Sequence, residues 1–117
     1  MEDYQLTLRK LAVRDDRYID ALLQAESASP TISGIDERSH ALIRIGALIA
    51  MNAAPAAYMD SVNAARRAGA SNEEIVGTLI AVLPTVGVAR VVTAAPNLGL
   101  AMGYDVSEAL ELVENGG

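Results

Sequence analysis

The chain has 117 residues, a formal net charge of −6 at pH 7 and no cysteine. That length fits one domain with a single core, and the missing thiols exclude disulfides, thiolate metal sites and cysteine nucleophiles. A single lysine, Lys10, and no basic cluster beyond Arg66-Arg67 argue against nucleic acid and anionic membranes as partners.

Hydrophobic types make up 51% of the residues, yet Phe and Trp are absent and Tyr is confined to positions 4, 18, 58 and 104. The core is therefore expected to be aliphatic. The acidic start Met1-Glu2-Asp3-Tyr4 lacks the layout of a secretory signal, and no apolar run reaches the roughly 18 residues of a membrane span, so a cytoplasmic protein is expected.

Tyr4 to Val13 places Leu6, Leu8, Leu11 and Ala12 at helical spacing and reads as a short helix. Asp15 or Asp16 then caps a second helix, whose apolar side is Tyr18, Ile19, Leu22 and Leu23 and which ends near Ser27. Residues 1–28 form an N-terminal helical arm, and the turn-forming run Ser27 to Gly34 separates it from a core over 36–102.

The core begins with a helix capped by Asp36 and running to about Asn52, apolar on nearly every side. Pro55 suits the first turn of the next helix, which Gly69 stops. Ser71 with Glu74 is a capping-box pattern opening a helix that Pro84 ends or bends. Val86 to Met102 is a further apolar stretch that Pro96 is expected to kink or split. Asp105 with Glu108 repeats the cap before a last helix over 105–114, closed by Asn115-Gly116-Gly117. Gly46-x-x-x-Ala50 and Gly99-x-x-x-Gly103 look like close helix packing.

The class is all-α, a compact bundle of about six or seven helices. A helix apolar on all sides must be surrounded, and a chain of this length has few helices to do so, so part of that surface is expected to lie against other copies.

The stretch Asn63-Ala-Ala-Arg-Arg-Ala-Gly-Ala-Ser-Asn-Glu-Glu-Ile-Val-Gly77, with Ala41-Leu-Ile-Arg-Ile-Gly-Ala-Leu-Ile-Ala50 before it and Ala81-Val-Leu-Pro-Thr-Val-Gly-Val-Ala-Arg90 after it, resembles the carboxymuconolactone decarboxylase-like (alkylhydroperoxidase D-like) family. The resemblance covers 36–102. It implies an all-helical protein assembling as a trimer, a hexamer or a larger ring, needing no cofactor. The family includes a cofactor-free lactone decarboxylase and a Cys-x-x-Cys peroxidase-reductase.

The peroxidase chemistry is not available to this chain. Carried over, the two cysteines fall on Ala53 or Ala54 and Ala56 or Ala57, the histidine on Asp60 or Ser61, and the glutamate on Ala41 or Leu42. A decarboxylase acting on a small acidic metabolite needs an acid or base and a cationic anchor. For those roles the chain offers His40, Tyr58 and Asp60 as catalytic candidates and Arg44 and Arg90 as substrate-binding ones.

Each candidate has a plainer reading. His40, the sole histidine, sits on the first turn of a helix and supports no metal site. Arg44, one turn beyond it, and Arg90 lie in apolar runs and must reach water, a carboxylate or a ligand. Tyr58 also reads as a packing residue and Asp60 as a surface acid. A non-catalytic oligomeric module that kept the fold and lost the site is the alternative to an enzyme.

Overall fold

The structure is a computed structural model and describes residues 3–28 and 32–114. Among the described residues there are seven α-helices and no strand: α1 (Asp3–Ala12), α2 (Asp16–Ala28), α3 (Glu37–Ala50), α4 (Pro55–Arg67), α5 (Asn72–Val86), α6 (Val88–Ala101) and α7 (Val106–Glu114). None of these helices is long and apolar enough to cross a membrane. The chain divides into two compact units, one ending at Asp36 and the other beginning at Glu37.

The first unit is the helical hairpin α1–α2. Arg14, at φ 53, closes α1, and the Asp15 carboxylate accepts the Tyr18 N–H at 3.1 Å, so the predicted cap of α2 is Asp15. The Lys10 ammonium lies over the Tyr18 ring, 4.8 Å from its centre, and ties the two helices together.

In the second unit the buried positions recur at helical spacing on four helices. They are Ala41, Ile45 and Ile49 on α3, Tyr58, Val62 and Ala65 on α4, Ile75 and Leu79 on α5, and Ala94, Leu98 and Ala101 on α6. α3 packs on α4 and α5, both of these pack on α6, and α7 lies along α6. Each fully buried aliphatic side chain contributes about 1.5–3 kcal/mol of transfer free energy, so these four stripes hold the unit together.

Most helix ends follow the local chemistry of the sequence. Pro55 is the first residue of α4. The Ser71 hydroxyl accepts the Glu74 N–H and the Glu74 carboxylate accepts the Ser71 N–H, each at 3.0 Å, completing the capping box. Asp105 accepts the Glu108 N–H at 3.0 Å and caps α7. α3 stops at Ala50 because Asn52 turns left-handed, at φ 54, letting the Ala53 N–H donate to the Leu48 carbonyl at 3.1 Å.

Neither proline splits its helix. Pro84 lies inside α5, within its last turn, and Pro96 lies inside an uninterrupted α6. A proline deprives the carbonyl four residues earlier of its donor, here Ile80 and Val92, and both are solvent-exposed residues where water can take that role. The break falls at Gly87, whose φ of 92 and ψ of 160 are open only to glycine at little cost. The two glycine motifs also divide. A Cβ at Gly46 would sit 3.3 Å from Val82 Cγ1, so α3 and α5 do approach closely there, whereas in the second motif only Gly99 lies at a close approach, to the turn before α7 and to Val106, and Gly103, at φ 90, ends α6. The expected glycine-rich close of α7 and residues 29–31 of the turn-forming run lie outside the described residues.

Candidate functional site

The five candidate residues lie on three helices. His40 is half-buried on the first turn of α3, and Arg44 is exposed one turn further along the same face. Asp60 is exposed on α4 and Arg90 is exposed on α6, and neither forms an ion pair with a described residue.

Tyr58 is fully buried on α4, in the core with Ile45, Ile49 and Val62, and its hydroxyl has no hydrogen-bond partner among the described residues. Burial pushes the phenol pKa up, so this hydroxyl stays protonated at neutral pH and offers no base. The packing role is the one its position provides.

None of the five residues lines either of two cavities that open on this unit among the described residues. The larger, about 660 Å³, is a groove between α3 and α5 built from Leu42, Ile43, Gly46, Ala47, Ala81 and Val82, with Gly77, Thr78 and Glu74 completing it. Its width follows from small side chains facing one another across the α3–α5 contact. Its two polar side chains are already committed. The Thr78 hydroxyl donates to the Ile75 carbonyl at 2.6 Å. Glu74 takes part in the capping box and faces Arg38, with Nη1 at 3.8 Å from Oε2.

Glu74 is held below the ordinary glutamate range, first by the Ser71 backbone N–H, which outweighs the opposing effect of desolvation, and then by the Arg38 charge and the Ser71 hydroxyl. A carboxyl depressed in the folded state stabilises it above the unfolded pKa, and that contribution is lost as pH falls through the folded value. Stability measured by urea unfolding is therefore expected to drop on acidification from the ordinary glutamate range downward, and Glu74→Gln to flatten part of that drop. An unchanged acid limb in the variant would remove Glu74 from the account.

The second cavity, about 380 Å³, lies where α5, the end of α6 and the start of α7 meet. Arg66, in sequence one of a pair of adjacent arginines, stands at its mouth, with Nη2 donating to Asn72 Oδ1 and to the Met102 carbonyl, each at 3.1 Å. The Met102 contact spans 36 positions of sequence, and no local pattern signals it.

Among the described residues no cluster of three or more His, Cys, Asp or Glu could hold a metal ion. The larger cavity is mainly apolar, with its two polar side chains engaged in local hydrogen bonds, and the smaller carries a positioned guanidinium. Compared with protein-family models, with characterised proteins and with solved structures, the chain matches none of them.

Proposed function

We propose that this chain is a non-catalytic, self-associating helical module, built on a pattern resembling that of the carboxymuconolactone decarboxylase-like proteins and without their reactive centre. The observation that carries this reading is the α3–α5 groove, an aliphatic surface that the unit's own helices leave uncovered. Ile43 on its wall is 56% exposed. Monomeric proteins rarely leave contiguous apolar surface of this kind in water.

The partner that suits it is a second copy. Copies carrying −6 each repel, and they approach most easily through faces without net charge. The groove is such a face, because its one acid, Glu74, lies against Arg38. A cofactor-free decarboxylase reading is less well supported, since Tyr58 is sealed in the core and His40, Asp60, Arg44 and Arg90 line neither cavity.

Sedimentation equilibrium at micromolar concentration tests the proposal. The wild-type protein is expected to run as a multiple of 12.3 kDa, and Ile43→Glu or Ala47→Glu to shift it toward the single-chain mass with its helical circular dichroism retained. A wild-type protein that stays at the single-chain mass would sink it.

A further inference from the structure

The smaller cavity supports a different conclusion, independent of self-association. Its volume of about 380 Å³ lies within the range of small-molecule sites, and its floor is aliphatic, with Leu79 and Leu98 buried and Ala95 and Val106 half-buried. Polar character is confined to the mouth, where Arg66 stands with Asn72 and Tyr104.

The two bonds from Arg66 Nη2 to Asn72 and Met102 fix the guanidinium plane against the ends of α5 and α6. They use both N–H groups of that nitrogen and leave the Nη1 and Nε donors for another acceptor. No described carboxylate pairs with Arg66. Asp105, beside the cavity between Tyr104 and Val106, directs Oδ1 to the Glu108 N–H. An arginine locked in place, free of an acid partner, at the lip of an aliphatic cavity in an acidic protein is a receptor for negative charge attached to an apolar body.

We propose that this pocket binds a small amphipathic carboxylate, with the anion on Nη1 of Arg66 and the hydrocarbon chain over Leu79 and Leu98. The α3–α5 groove is not an equivalent site, because its only charged lining residue is an acid.

Titration of the 15N-labelled protein with octanoate, followed by amide chemical shifts, tests this, with octan-1-ol as the uncharged ligand of the same chain length. Octanoate is expected to move the amides of Asn72, Met102 and Tyr104, and to bind at least about tenfold more tightly than octan-1-ol, the factor that one charge-assisted hydrogen bond supplies. Arg66→Gln is expected to bring octanoate down to the level of octan-1-ol. Val76→Phe, at an exposed position on the cavity wall, retains the guanidinium and fills the space, and is expected to abolish binding of both ligands even if the Arg66 variant does not fold. Equal affinity for the two ligands, or shifts at Gly77 and Ala81 in place of those at Met102 and Tyr104, would overturn the proposal.

Discussion

Replacing Tyr58 by phenylalanine is expected to stabilise the protein by about 1 kcal/mol, and replacing it by alanine to destabilise it by about 3–5 kcal/mol. The contrast isolates the two parts of one side chain. The ring is fully buried among Ile45, Ile49 and Val62, so truncation removes its transfer free energy and leaves a cavity that rigid helices only partly close. The hydroxyl is buried without a partner among the described residues, so it has lost its hydration and gained no bond from them in return, and phenylalanine relieves that penalty while keeping the shape. Urea unfolding at one fixed protein concentration measures both, since self-association would make stability concentration-dependent. A phenylalanine variant weaker than wild type would mean that the hydroxyl has a partner, and would reopen a chemical role for Tyr58.

Gly99→Ala is expected to cost about 1–2 kcal/mol, although alanine is the better helix former by about 1 kcal/mol. A Cβ at this position would lie 2.9 Å from the Tyr104 carbonyl oxygen and 3.1 Å from Val106 Cγ2. The oxygen belongs to backbone that cannot easily retreat, because the Tyr104 N–H donates to the Gly99 carbonyl at 2.8 Å and the Met102 N–H donates to it at 3.0 Å. The turn from α6 to α7 is therefore wound back over Gly99, and a methyl group there must push the turn away. Gly77→Ala is the contrast, in mid-helix with nothing of its own chain among the described residues within 4 Å of the added Cβ, and is expected to gain about 0.5–1 kcal/mol at protein concentrations low enough to leave the chain dissociated, since Gly77 lines the α3–α5 groove. The same urea titrations compare them, and a Gly99 variant as stable as wild type would show that the turn is not held at this point.

The helices themselves were legible because the signals that make and end them act within a few residues. Ser71 with Glu74, Asp15, Asp105 and Pro55 all do in the structure what their side chains predict, since a cap needs only its own helix's first turn. That Pro96 leaves α6 unsplit was not legible, because the cost of a missing donor depends on whether water reaches the orphaned carbonyl, and a local pattern does not contain that information. Gly87 was the stronger signal between α5 and α6, and it lies in the same run.

The candidate site was less legible. Helical spacing places His40 and Arg44 on one face of α3, but it does not say what that face meets. Spacing likewise could not choose between a packing and a reactive Tyr58, because burial is set by α3 and α4 coming together and by the core that α6 completes. Arg66 became distinct only when the ends of α5 and α6 were brought to its guanidinium.

What the residues determined alone is the all-helical class, the caps and the mainly aliphatic nature of the core, Tyr58 being its aromatic exception, each a consequence of short-range hydrogen bonding or of composition. Tertiary structure alone decided which apolar faces are covered, which prolines are tolerated and which arginine stands over a cavity. These depend on the approach of segments far apart in sequence, and that approach sets the water, the partner groups and the space available to every side chain.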